Sequence, residues 1–222
     1  MKRIVLSIVF TLCITNIYAQ GYTPWRFGLK FSPSISWLNP EIREMKYKNV
    51  AFGYSYGLFG DKHFAENYAI SSGFFITQHG GEISFDENVH ELDETSLKNR
   101  LFKLQYADVP LILKLRTREI GYMTYYGQFG GSIGFNIRAR ADDVYFDNSS
   151  EEEIDISNDI YLFKGSLIMG AGFEYSLLGN TAVVVGIYYN NGFSNILDMG
   201  PYENKRISAR ANFVELTIGV VF

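Results

Sequence analysis

Apolar and polar positions alternate with period two along most of this chain, the pattern of strands that bury one face. Trp25, Phe27, Leu29 and Phe31 alternate with Arg26, Gly28, Lys30 and Ser32. Phe52, Tyr54, Tyr56 and Leu58 are separated by Gly53, Ser55 and Gly57, and Tyr68, Ile70, Phe74 and Ile76 form a third apolar row. Val109, Leu111, Leu113 and Leu115 form the fourth. Just upstream, Phe102, Leu104 and Tyr106 have the opposite parity, which predicts a bulge near Ala107. The fifth row is Met123, Tyr125, Phe129, Ile133, Phe135 and Ile137; the sixth is Phe163, Leu167, Met169, Phe173 and Tyr175. Val183, Val185, Ile187 and Tyr189 make the seventh, where both faces are apolar. Val214, Leu216, Ile218, Val220 and Phe222 close the series as an eighth strand.

The connections alternate as well. They fall near residues 39–49, 61–67, 80–100, 117–121, 139–160, 177–180 and 194–208, long and short in turn. Short turns at one end and long loops at the other are the layout of an up-and-down barrel in the outer membrane, with both chain ends on the periplasmic side. Strands of ten or more residues, tilted, are what a bilayer requires. A soluble barrel of the lipocalin kind also alternates, so the outward face has to be decided. The less apolar face is dense in glycine: Gly28, Gly53, Gly57, Gly73, Gly130, Gly134, Gly170, Gly172 and Gly219. Small residues suit the inside of a narrow barrel, where facing side chains compete for space. The apolar face carries Trp25, Trp37, Tyr54, Tyr68, Tyr122, Tyr161, Tyr175 and Tyr189 near predicted strand ends, a pattern similar to interfacial girdles. The expected fold is therefore all-β: an eight-stranded antiparallel up-and-down transmembrane β-barrel over residues 20–222.

Residues 1–19 read as a cleaved secretory signal. Lys2 and Arg3 precede an apolar run, and Ala19 occupies a plausible cleavage position. Cys13, the single cysteine, would leave with the signal, so no disulfide or thiolate chemistry is expected. The 222-residue chain carries a net charge of −4, which argues against a nucleic-acid partner. Loss of Lys2 and Arg3 would leave −6. An aromatic content of 16% with 21 glycines agrees with the barrel reading and excludes disorder.

The run LQYADVPLILKL, from Leu104 to Leu115, resembles the "Y-x-[ED]-[IV]-P-L-L-x-K" segment of PorT-like outer-membrane barrels of Bacteroidota. GAGFEY from Gly170, YYNNGFSNI from Tyr188, and the glycine-rich stretch Gly127 to Gly134 resemble later strands of that family in the same order. The resemblance implies the same eight-stranded barrel over nearly all of the chain after the signal. The namesake's link to type IX secretion implies, more loosely, an accessory role in protein secretion or envelope assembly.

Charged positions on the predicted interior face are Lys30, Asp108, Lys114, Lys164, Glu174 and Glu215. Buried charges persist when paired, so these six are read as a structural network filling the lumen. Lys30 and Glu215, on the first and last strands, are a candidate pair across the closing seam. The terminal Phe222 resembles the signal read by the outer-membrane insertion machinery. Glu82, Asp86, Glu87, Glu91, Asp93 and Glu94 in one long connection, and Asp142, Asp143, Asp147, Glu151, Glu152, Glu153, Asp155 and Asp159 in another, are expected to be solvated acidic loops. The alternative is that they engage a partner, a polysaccharide, or divalent cations bridging to lipopolysaccharide phosphates. His63, His79 and His90 are expected at the surface. No arrangement has the spacing of a catalytic, metal or cofactor site, so the expected partners are outer-membrane lipids and lipopolysaccharide, the insertion machinery, and other envelope or secretion proteins. A passive porin is disfavoured, because eight strands leave an interior that side chains fill.

Overall fold

The computed structural model describes residues 25–40, 45–85, 97–145, 149–177, 179–198, 201–202, 205–206 and 208–222. The signal expected at residues 1–19 lies outside them. Long strands follow the alternation: β1 (Trp25–Pro40), β2 (Met45–Ala65), β3 (Tyr68–Phe85), β4 (Leu97–Arg116) and β5 (Met123–Tyr145). After a short β6 (Ser150–Asp155) come β7 (Phe163–Ser176) and β8 (Ala182–Gly192). A two-stranded ribbon, β9 (Pro201–Tyr202) and β10 (Lys205–Arg206), precedes β11 (Ala209–Val221).

β1–β5, β7, β8 and β11 pair antiparallel, each with its neighbours, and β11 pairs back onto β1, closing a ring of eight. Stepping across the ladder from Thr124 runs through Glu174, Val184, Gly219, Lys30, Gly57, Phe75 and Asp108 to Gly134, back on the starting strand but ten residues along it. With standard strand rise and spacing, that stagger tilts the strands by about 40°. Every side chain on that path faces inward, and bulky and small residues are mixed along it. At Gly134 a Cβ would lie 2.2 Å from Asp108 Oδ1 and 2.6 Å from Lys164 Cε, so a larger residue would have to displace that ion pair.

The apolar rows face outward. Leu29, Phe52, Leu58, Leu111, Phe129, Ile187 and Leu216 are all more than half exposed. The seventh row, whose parity the sequence left open, points Ile187 out and Val184 and Tyr188 in. Trp25, Tyr68, Tyr122 and Tyr175 ring the end that carries the start of β1, the end of β11 and the short turns. Among the described residues, no helix is long and apolar enough to cross a membrane; strands do the crossing.

Three expectations are corrected. The predicted bulge near Ala107 is absent from β4, whose inward parity holds from Phe102 through Leu104, Tyr106, Asp108 and Ile112 to Lys114. The irregularity lies on the facing strand: Gln105 pairs with Arg138 but Tyr106 with Asn136, so β5 carries the extra residue. Phe102, Leu104 and Tyr106 belong to the inner face because the interior itself turns apolar toward the far end. Three of the four long connections are also shorter than expected, the exception being the one between Gly192 and Ala209. β1 ends at Pro40 and β2 starts at Met45, and β3 keeps its pairing with β4 out to Ser84. Residues 139–160 hold the upper part of β5 and β6, which pairs with it from Val144–Ser150 to Arg140–Asp155, with Glu153 in a left-handed bulge (φ 56°). Finally, His63 and His79 are buried, because both lie on inward positions of β2 and β3; His90 is outside the described residues.

Candidate functional site

The lumen is a stack of three zones set by which inward residues each strand supplies at each height. Nearest the chain termini is a charged cluster. Lys114 of β4 lies 2.7 Å from both Asp61 of β2 and Glu174 of β7. The other oxygen of Glu174 takes Arg26 of β1 at 2.6 Å and Arg116 at 2.9 Å. Arg116 also donates to His63 Nε2 at 2.8 Å. One carboxylate thus serves three cations from two strands, β1 and β4, which makes it tolerable to bury. Lys114 and Glu174 were legible from strand parity. Asp61 and His63 were masked by a turn predicted too early, while Arg26 and Arg116, on inward-parity positions of β1 and β4, were not singled out.

The middle zone is packed with hydroxyls and aromatic rings. Ser32 and Thr217 share a hydrogen bond of 2.7 Å, and Thr77 donates to Ser55 at 3.3 Å. The Tyr126 and Tyr188 hydroxyls meet at 2.5 Å. Lys30 Nζ sits 4.3 Å above the Phe75 ring and 3.9 Å from Glu215 Oε1. Glu215 is opposite Ser34 in the ladder, not Lys30, so the long lysine side chain has to span the offset. Lys164 is 3.3 Å from Asp108 and donates to His79 Nε2 at 3.0 Å. An ammonium can only donate, so that nitrogen accepts and the imidazole proton sits on Nδ1. His79 is stacked between Tyr106 and Phe213 at centroid distances of 5.2 and 5.6 Å. Two cavities here measure about 30 and 20 Å³, each of the order of a single water.

Above this, the lumen is apolar. Leu38, Ile83, Phe85, Phe102, Leu104 and Tyr106 from the wall meet Ile156, Ile160, Ile196 and Leu197 from the connections. Those connections are sewn into place: Ile160 bridges Leu197, Tyr161 N–H donates to Ile196 O at 3.0 Å, and Ile196 N–H to Ala209 O at 3.0 Å. Asn195 Oδ1 accepts from the N–H groups of Leu197 and Ala209, while its amide donates to Leu197 O. The sequence reading placed only solvated loops here and missed this cap; the isolated apolar pairs Ile154/Ile156 and Ile196/Leu197 were its signal.

At the outer rim four of the described acidic residues are ion-paired within the wall. Arg100 grips Asp143 with two bonds of 2.6 Å, Lys103 reaches Asp142 at 2.5 Å, Lys48 reaches Glu82 at 2.8 Å, and Arg140 bonds Glu153. Partial burial pushes the Asp142 carboxyl up, but the hydrogen bonds from Lys103 and the Glu153 N–H outweigh it and hold the group below its usual range. Asp86, Glu87, Glu91, Asp93, Glu94 and Asp147 lie outside the described residues. Among the described residues, no group of His, Cys, Asp and Glu is arranged to hold a metal ion.

A ring of eight long strands with an apolar exterior defines an integral outer-membrane barrel. The chain belongs to the outer membrane protein beta-barrel domain family, matched over residues 18–198, and its place is the outer membrane, in contact with membrane lipid. Among solved structures it is similar to OprG of Pseudomonas aeruginosa, at 14% identity and TM-score 0.48, covering 91% of this chain and 98% of that one. Neisserial surface protein A is similar at 13% identity and TM-score 0.47, covering 88% and 95%. Ail of Yersinia pestis is similar at 19% identity and TM-score 0.42, covering 89% and 98%. No curated protein matches the chain.

Proposed function

We propose that the protein is a non-conducting, non-enzymatic outer-membrane barrel with a structural or accessory role in the envelope, working through its outer rim rather than through its lumen. The observation that carries this is the outer half of the lumen, where wall and connections bury an apolar cluster above the hydroxyl zone. An ion crossing there would lose its hydration without gaining polar partners. In planar bilayers the purified protein is expected to show no steady current; sustained open-channel conductance would overturn the reading. The rim supplies the interacting surface: β2–β5, of 18 to 23 residues, are long enough to stand clear of the apolar band. Lipopolysaccharide, and envelope or secretion proteins of the kind served by PorT-like barrels, are the partners this reading assigns to it. Gentle detergent extraction with co-purification tests the protein partners, and a solitary monomer under all conditions counts against them.

Membrane insertion is the second part of the proposal. Phe222 projects its ring outward, 57% exposed, while its backbone exchanges two hydrogen bonds with Phe27 at 2.8 and 2.9 Å. Phe222 thus sits on the closing seam with its side chain free to be read by the insertion machinery before closure. Phe222→Ser is expected to lower the amount assembled in the outer membrane while leaving refolding into detergent intact. Equal assembly of the variant in cells would remove this role.

A further inference from the structure

Below the charged cluster the barrel opens into a cavity of about 200 Å³ at the end where β1 starts and β11 finishes beside the short turns, the periplasmic end of such barrels. We propose that this mouth is a binding site for a small oxyanion, a phosphate or carboxylate group presented from the periplasm. The reading is independent of the role assigned to the outer rim.

Size comes first. Pockets for drug-sized molecules run to roughly 300–1,000 Å³, so this one suits a single anionic group. Glu174, which lines it, ties it to the buried Lys114 and Asp61 further in. Donor capacity is the second argument. A guanidinium has five N–H donors. Arg26 makes one side-chain hydrogen bond, to Glu174, and Arg116 makes two, to Glu174 and His63. Both arginines line the cavity, and Arg26 keeps N–H groups beyond the one given to Glu174. A guanidinium with spare donors at the wall of such a space is suited to phosphate and carboxylate oxygens. Thr124, Ser176 and Thr181 add hydroxyls around the same space. Charge is the third argument. Inside the mouth, Arg26, Lys114 and Arg116 face two carboxylates, Asp61 and Glu174, which leaves one positive charge in excess. Glu119 also lines the cavity, but it sits on the exposed turn after β4, where solvent screens it.

The test uses the full-length barrel folded in detergent micelles. Thermal unfolding is followed while sodium phosphate, or separately sodium acetate, replaces sodium chloride at constant ionic strength. A saturable rise in unfolding temperature with phosphate alone assigns a tetrahedral oxyanion; a rise with both assigns oxyanions generally. Arg26→Lys keeps a cation on Glu174 but loses the fork, and is expected to weaken the phosphate midpoint about tenfold. Arg100→Lys, in the rim pair, should leave it unchanged. Arginine Nε–H resonances of the wild-type protein give a reading independent of any variant: phosphate must shift those of Arg26 or Arg116. No effect beyond chloride, an unchanged midpoint in Arg26→Lys, or shifts confined to other arginines would overturn the site.

Discussion

Glu174 and Glu215 show how differently two buried carboxylates on inward strand positions are held. Glu174 accepts from Arg26, Lys114 and Arg116 within 2.9 Å, whereas Lys30 comes no closer than 3.9 Å to Glu215. Removing one partner of a well-made buried network leaves the others uncompensated, at a cost of about 3–5 kcal/mol. Glu174→Gln is therefore expected to lower heat resistance in detergent markedly, and by more than Glu215→Gln. Replacing both members of the seam pair, Lys30→Met with Glu215→Leu, should recover much of the Glu215→Gln loss, because no charge is then left in the lumen at that point. Band-shift thermal denaturation of the folded form checks the ranking. A Glu215→Gln variant less stable than Glu174→Gln would mean the seam, not the mouth, organises the lumen.

At the scale of one element, β4 explains why the LQYADVPLILKL run reads as it does. Tyr106 contributes a lumen wall, Asp108 binds Lys164, and Lys114 anchors the mouth, while Val109, Leu111 and Leu115 face out. Pro110 has no N–H to give, and the β3–β4 ladder skips the positions beside it, between Ser72–Leu111 and Phe75–Asp108. The Ser72 hydroxyl donates to Pro110 O at 2.8 Å instead. Outward and inward positions on this strand should respond oppositely to charge. Leu111→Arg, on a side chain 67% exposed, is expected to destabilise the protein in lipid by about 2–4 kcal/mol. The same change should be nearly neutral in a barrel whose outer face met water. Urea titration in vesicles separates the two outcomes.

For the whole molecule, the ring closure fixes which ends share a side. β1 begins and β11 ends beside the turns at Glu66–Asn67, Arg118 and Asn180, and the β6 hairpin rises at the opposite end. Glu152→Cys and Asn180→Cys, both at exposed positions, should therefore label on opposite sides of the outer membrane. A membrane-impermeant maleimide is expected to modify Glu152→Cys in intact cells and Asn180→Cys only after the outer membrane is permeabilised. The reverse pattern would place the apolar cap toward the periplasm.

Strand number, the outward face and the eight-stranded closure were all legible in the sequence, because period-two alternation depends only on neighbours along one chain segment. The same parity placed Lys30, Asp108, Lys114, Lys164, Glu174 and Glu215 inside. It could not tell which of them meet, since contact depends on the ten-residue stagger accumulated around eight strands. That stagger brings Arg26, Asp61, Arg116 and Glu174 to one height and leaves Lys30 and Glu215 at arm's length. Nor could parity show where the interior changes from polar to apolar. Phe102, Leu104 and Tyr106 looked like a slipped register, because a bulge and a change of lumen chemistry produce the same pattern on one strand. Only the packing of Ile156, Ile160, Ile196 and Leu197 against them decides between the two, and those residues come from connections distant in the chain.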